Sequence, residues 1–384
     1  MQYRKFRAEQ LFDGYTLRKT DDTLIADRAG KIVEIVASAD AGDDVESFNG
    51  ILSPGFINCH CHLELSHLKN VIPPHTGLID FLCSVVTKRG FEQELIQEEI
   101  RKAEQEMYEN GIVAVGDIGN TADTAAVKRN SKIRWHNFVE VLGFNDEKAS
   151  SNLQQYSAVA EQLKAHQRTS LVPHAPYSIS PLTFQLINDA TAGQIISIHN
   201  QETAAEDELY QTGAGDFLRL FKIFGFDRSP FPVTGTTSIR SYLPYFNKQQ
   251  TVFLIHNTWM PEEDVKWANE YTAANDLQLV YCLCINANLY IENKVPPVAY
   301  FQQQHCNLVL GTDSYSSNWQ LSIAKEIQAL LQHTTVTAEQ ALQMATLNGA
   351  KALQWQQDLG SFEKNKQPGI VLIEQDFSSS KRLL

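Results

Sequence analysis

The sequence predicts an α/β protein of the (β/α)8 TIM-type barrel kind, and three observations carry that expectation. Short apolar runs and polar helical segments alternate along most of the 384 residues, as βα units require. Strand candidates end near residues 58, 117, 141, 173, 198, 255, 282 and 311, which gives the eight that a closed barrel needs. Several of those ends carry side chains competent to bind a metal, and a barrel brings the carboxyl ends of its strands to one rim. With 43% apolar residues, the chain has core enough for one large barrel and a small appendage.

In chain order, the first ~50 residues read as short strands separated by turns, such as Thr23-Leu-Ile-Ala26 and Lys31-Ile-Val-Glu-Ile-Val36. The apolar run 50–57 leads into Asn58-Cys59-His60-Cys61-His62-Leu63-Glu64. Residues 92–110 have helical character, end at Gly111, and precede the strand candidate Ile112-Val-Ala-Val115. A further strand is expected over 133–142 and a polar helix over 149–166. Residues 203–250 are too long for an ordinary βα connection and hold nine aromatic residues, among them Phe217, Phe221 and Phe224. A lid or substrate wall is one reading of that insertion; a packed helical insertion or a homodimer interface carries equal weight. Thr337-Ala-Glu-Gln340 has the capping-box pattern that opens a helix running toward Lys351. The stretch 367–373 returns to strand character.

Charge and cysteines bound the function classes. The net charge is −13 with lysine and arginine scattered, which argues against a phosphate-backbone partner and hence against nucleic acid. No window approaches 18 consecutive apolar residues and the basic start lacks an apolar h-region, so a cytoplasmic protein without a membrane partner is expected. The cysteines at 59, 61, 83, 282, 284 and 306 lack the dense spacing of a secreted scaffold, and reduced thiols are the default.

Side chains alternate faces along a strand, so His60 and His62 project from one side while Cys59 and Cys61 point away. Two imidazoles then face one ion, and a thiolate site is disfavoured. Alone, His-x-His also suits a pair of hydrogen-bonded histidines at a strand end. Three more strand candidates finish in a comparable side chain: Ile195-Ile-Ser-Ile198 in His199, Thr251-Val-Phe-Leu-Ile255 in His256, and Asn307-Leu-Val-Leu310-Gly-Thr in Asp313. Buried ionisable groups without partners cost several kcal/mol or more, and a cation supplies the partner.

These segments, with Pro173-His174-Ala175-Pro176-Tyr177-Ser178, His199-Asn200-Gln201-Glu202, His256-Asn257-Thr258, Gly311-Thr312-Asp313-Ser314 and Ala345-Thr346-Leu347-Asn348-Gly349-Ala350, resemble the amidohydrolase superfamily in its cytosine deaminase and chlorohydrolase-like branch. The resemblance covers nearly the whole chain. It implies that 1–52 and 354–384 join in a small discontinuous β-sandwich domain beside a hydrolase barrel over 53–353. It also implies hydrolytic deamination of an amino-substituted heterocycle (purine, pyrimidine or nucleoside-like), by attack of a metal-bound hydroxide on a ring carbon and release of ammonia.

The ligand set it implies is His60, His62, His199 and Asp313 around one divalent metal, with zinc favoured and Fe²⁺ fitting the same donors. The end Leu171-Val-Pro-His174 has no lysine to bridge a second ion. By the same resemblance Glu202 shuttles a proton to the ring nitrogen, and His256 orients the water or takes its proton. Asp313 shares that work. His174, Glu64 and Asn318 fall to substrate binding, although Glu64 also suits a partner to a histidine ligand and Asn318 a loop-shaping role. Where relatives carry Cys-Pro-x-Ser-Asn, this chain reads Cys284-Ile285-Asn286-Ala287-Asn288, so substrate specificity is less fixed than the ligands. His67, His75, His136, His166, His305 and His333 are expected in surface or core roles. The alternatives are cyclic amide hydrolysis or dechlorination at the same site, and a noncatalytic scaffold, which the intact residue set disfavours.

Overall fold

A computed structural model describes residues 3–19, 21–164 and 167–384. Both chain ends meet in one mixed sheet. Its strands are β1 (Tyr3–Phe12), β2 (Leu17–Lys19), β3 (Thr23–Asp27), β4 (Ile32–Val36), β5 (Val45–Pro54), β14 (Ile370–Ile373) and β15 (Ser380–Arg382). The order is β15-β14-β5-β1-β3-β4, with β2 paired to β1. Alternation along β1 buries Phe6 and Ala8 on one face. A register shift between Ala8 and Gln10 then lets the adjacent Leu11 and Phe12 both be buried, in two different apolar clusters.

The chain leaves this sheet at Gly55, where a Cβ would lie 2.3 Å from Val113 Cγ1 and 2.6 Å from Pro368 O. Only glycine fits between the mixed sheet and the parallel strands. Those strands form two four-stranded parallel sheets. The first holds β6 (Phe56–Cys61), β7 (Ile112–Gly119), β8 (Arg134–Val141) and β9 (Arg168–Pro173); the second holds β10 (Ile195–Asn200), β11 (Thr251–His256), β12 (Gln278–Leu283) and β13 (Leu308–Leu310). The eight ends fall within three residues of the positions expected from the apolar runs. Strands such as β10 and β6 are buried throughout, which is why they read as continuous apolar segments rather than alternating ones. At the site end the two sheets touch through backbone hydrogen bonds: His199 N donates to His174 O at 3.0 Å, and Thr312 N and Asp313 N both donate to His60 O at 3.0 Å.

The helix over Gln93–Glu109 matches its expected range and stops at Gly111, whose φ of 91° suits glycine. Thr337 and Gln340 form the expected capping box, and the helix continues through a π turn at Met344–Asn348 to Ala352. The expected helix over 149–166 is seen as Ala149–Leu163; residues 165 and 166, with His166, lie outside the described residues. His67 and His136 are buried, whereas His75, His305 and His333 are exposed. The 203–250 insertion is helical, with Ala204–Thr212, Phe217–Ile223 and Ser238–Tyr242. Phe217, Leu220 and Phe221 pack with Leu78, Ile79 and Phe81 of the helix Leu78–Lys88. No helix among the described residues is long and apolar enough to cross a membrane.

One buried ion pair anchors the strand that carries the paired histidines. Lys128, on the short helix Ala125–Asn130, reaches Asp117 Oδ2 at 2.5 Å and Asn137 Oδ1 at 2.6 Å. Asp117 Oδ1 accepts from Leu63 N at 2.8 Å, one residue past His62. A pair this deeply desolvated contributes geometry more than net stability.

Candidate active site

The strand ends deliver His60 from β6, with His62 next after it, His199 from β10, His256 from β11 and Asp313 three residues past β13. His60 Nε2 and His62 Nε2 lie 3.4 and 3.5 Å from Asp313 Oδ1, and His62 Nε2 lies 3.3 Å from His199 Nε2. His60, His62 and His199 offer nitrogens within 4.8 Å of one another, and His60, His256 and Asp313 form a second such trio. Cys59 and Cys61 are buried away from this centre, and Cys59 Sγ lies 3.1 Å from where a Cβ on Gly349 would be.

Ring tautomers follow from the partners on the far nitrogens. His199 Nδ1 donates to His174 O at 2.7 Å and His256 Nδ1 donates to Asn288 Oδ1 at 2.8 Å, leaving both Nε2 atoms as lone pairs turned inward. Both ring nitrogens of His60 are buried without a hydrogen-bond partner among the described residues. Ser317 Oγ donates to Asp313 Oδ2 at 2.5 Å, so Oδ1 is the oxygen left facing the imidazoles. Lone pairs and a carboxylate oxygen converging with no proton donor between them fit a divalent cation, which His60, His62, His199 and Asp313 are placed to hold.

Electrostatics agree with that geometry. Burial, reinforced by neighbouring histidines, pushes His62 down to about 3, and burial pushes His174 and His256 down to about 4, so these rings are neutral and able to ligate or accept. Burial raises Asp313, but the surrounding imidazoles of His60, His62 and His256 outweigh it and hold the carboxyl well below its usual range. Glu202 goes the other way: burial, and then the charge of Asp313, push it well above the carboxylate range. Its Oε1 lies 3.6 Å from His256 Nε2. Backbone strain gathers here too. His256, Asn257, Gln201 and Asp313 all have φ between 42° and 71°, a left-handed region that costs non-glycine residues of order 1–3 kcal/mol each.

His62, His199, Glu202, His256 and Asp313 line a cavity of about 170 Å³. Its wall carries Leu82, Val85, Phe144, Tyr177, Leu220 and Phe224, so the insertion is a packed helical unit that also supplies part of the wall. His174 and Glu64 line the cavity as well. His174 Nδ1 is engaged by Ser178 Oγ at 2.8 Å, which leaves Nε2 toward the cavity. Glu64 Oε2 accepts from Asn120 N, Thr121 N and Thr121 Oγ1, and Oε1 lies 3.7 Å from Arg89 Nη2; it bonds to no histidine ligand.

Asn318, expected at the substrate, lies behind the strand end instead. Its amide nitrogen donates to Thr312 O at 2.7 Å and Glu326 Oε1 at 2.9 Å, and its oxygen accepts from Gln320 N. Buried and fully engaged, it clamps the Asp313 loop. Sequence reasoning missed Asn288, which sits inside the divergent 284–288 segment, and Glu140, which lies within the 133–142 strand candidate, two residues before its end. A charged residue inside an apolar run, between Val139 and Val141, was the signal that pointed to Glu140.

A profile of the amidohydrolase family matches residues 51–382. The chain belongs to the amidohydrolase family. The aminodeoxyfutalosine deaminase of a Nitratiruptor species is 27% identical to this amidohydrolase over 364 residues, spanning 87% of this chain and 84% of that protein. Among solved structures, Helicobacter pylori aminofutalosine deaminase in complex with methylthio-coformycin matches with a TM-score of 0.78 at 22% identity, over 99% of this amidohydrolase and 97% of that chain. An adenosine deaminase from Xanthomonas campestris with bound zinc matches with a TM-score of 0.74 at 19% identity, over 98% and 89% of the two chains. The structural likeness shows a shared fold, an α/β architecture with parallel sheets.

Proposed function

We propose that this amidohydrolase is a hydrolytic deaminase of an amino-substituted heterocycle, a purine, a pyrimidine or a nucleoside-like compound. The observation that carries the reading is the Glu202–His256 pair, 3.6 Å apart in one cavity with His62, His199 and Asp313. The named activities of the relatives support it, and the zinc in one fold neighbour supports zinc over Fe²⁺. A divalent ion held by His60, His62, His199 and Asp313 would lower the pKa of water toward neutrality and polarise it for attack.

The chain's own groups account for the protons. His256 Nε2, a lone pair fixed by Asn288, takes a proton from the attacking water, and the Asp313 carboxylate shares that work. The protonated Glu202 donates to the ring nitrogen beside the carbon under attack, which removes the charge that addition places there. On collapse His256 returns its proton to the departing amine, ammonia leaves, and the Glu202 carboxylate recovers the proton of the new hydroxyl. His174 Nε2 and Glu64 Oε1 serve as contacts for the rest of the substrate. We read the two parallel sheets as halves of one closed (β/α)8 barrel over 53–353, and 1–52 with 354–384 as its β-sandwich appendage. A cytoplasmic setting belongs to the same reading.

The test is ammonia release from a panel of aminopurines, aminopyrimidines and 6-aminodeoxyfutalosine. Ammonia from at least one class is expected. Chloride from a chlorinated ring, or a ring-opened acid without ammonia, overturns deamination in favour of dechlorination or cyclic amide hydrolysis at the same residues.

A further inference from the structure

Glu140, the last acidic residue of β8, has no part in the proton transfers above. It is 3% exposed, and its Oε1 has no hydrogen-bond partner among the described residues. Oε2 accepts one long bond, from Asn120 Nδ2 at 3.4 Å. A buried carboxyl oxygen left without a donor is costly and rare unless something else occupies it. Glu140 lines the cavity, and its Oε1 lies 3.9 Å from both His174 Nε2 and His199 Nδ1. With those two histidines it makes a trio that would face a second cation. His199 Nδ1 already donates to His174 O, so the trio lacks a third donor and a ligand hydrogen bond fits Oε1 better.

The neighbours of Glu140 say which part of a ligand arrives there. From His174 a polar row runs through Glu140 and Asn120 to Glu64, and ends at Arg89, whose side chain is 38% exposed. The reacting ring edge faces Glu202, His256 and Asp313, and the next edge meets His174. Glu140 is next along that polar row, beside His174 and bonded by Asn120, which assigns it to a substituent of the ring.

We propose that Glu140 is a specificity-determining residue of the deaminase, its Oε1 receiving a hydroxyl of a sugar attached to the heterocycle. The proposal rests on the deaminase reading and adds that a free base leaves this oxygen unmet. A site with a buried group built for a substrate hydroxyl rejects the analogue lacking it far more strongly than an apolar pocket rejects a methylene.

The experiment measures ammonia release from adenosine, 2′-deoxyadenosine, 3′-deoxyadenosine and adenine by the wild type, Glu140→Gln and Glu140→Leu. The wild type is expected to favour adenosine over at least one deoxy analogue by about tenfold or more in kcat/KM. Glu140→Leu should bring that ratio close to one, chiefly through KM, with a smaller loss on adenine than on adenosine. Glu140→Gln keeps the shape and an acceptor oxygen and should fall between, so it answers the question if the leucine variant folds poorly. A wild-type ratio retained in both variants overturns the proposal, as does an equal loss on adenosine and adenine, or a loss of bound metal on elemental analysis. Ammonia from other members of the panel but from none of these four compounds overturns the sugar claim alone. No ammonia from any amino-heterocycle overturns the deaminase reading beneath it.

Discussion

The hydrogen bond from His256 Nδ1 to Asn288 Oδ1 decides which nitrogen of His256 can act as a base. Asn288→Leu removes the acceptor and frees the ring to take the other tautomer. A buried hydrogen bond of this kind is worth about 1–3 kcal/mol when one partner is deleted. Steady-state kinetics should therefore show kcat lower by roughly tenfold or more with KM little changed. Glu202→Gln keeps the shape but cannot deliver a proton. Turnover should fall by about 10² or more with metal content intact, and unchanged turnover would remove Glu202 from the mechanism. His60, His62, His199, His256 and Asp313 were legible because each closes an apolar run, and parallel strands bring such ends to the same side of a sheet. Asn288 was not, because its role depends on the contact between two segments 32 residues apart, and no local pattern encodes that contact.

The insertion does more than cover the site, because its first helix grips the turn that presents Glu202. Glu206 Oε1 accepts from Gln201 N at 2.9 Å and is bonded by Ser238 Oγ, while its Oε2 has no partner among the described residues. Gln201 Nε2 donates to Asp207 and Asp264, and Arg240 Nε holds Asp264 Oδ1 at 2.6 Å. Burial pushes the Glu206 carboxyl up to about 8, against opposing hydrogen bonds from Ser238 and the backbone. A carboxyl whose folded pKa is raised binds its proton more tightly in the native state. Its contribution to stability is complete below the unfolded value near 4.5 and is lost as pH rises through 8. Glu326, raised to about 7 by burial where it joins Asn286 to Asn318, acts in the same sense. Melting temperatures recorded from pH 5 to 8 should thus fall less steeply for Glu206→Gln than for the wild type. Parallel curves would show that Glu206 is ionised in the folded protein. The aromatic content of 203–250 left a lid or substrate wall and a packed insertion or subunit interface equally open, because short helices bury aromatics on any face that meets a neighbour. Which residues became wall and which became core was not readable.

Across the whole molecule, a mixed sheet made from both chain ends supports two four-stranded parallel sheets that touch at His60 and His174. Count, order and spacing of the parallel strands were visible in the sequence because fully buried strands must be apolar throughout. Pairing of Ile370–Ile373 with Ile51–Pro54 was visible only as a likeness in character, since register over such a distance is set by packing. The seams that join the two sheets are also where His60 and His199 emerge, so fold and site are one construction. Its central claim is that a single cation held by His60, His62, His199 and Asp313 makes water reactive toward an amino-substituted ring. The most direct test strips the purified protein with a chelator, verifies metal loss by elemental analysis, and measures ammonia release before and after adding Zn²⁺. Activity should vanish with the metal and return as one ion per chain is restored; undiminished ammonia release from metal-free protein would contradict the account.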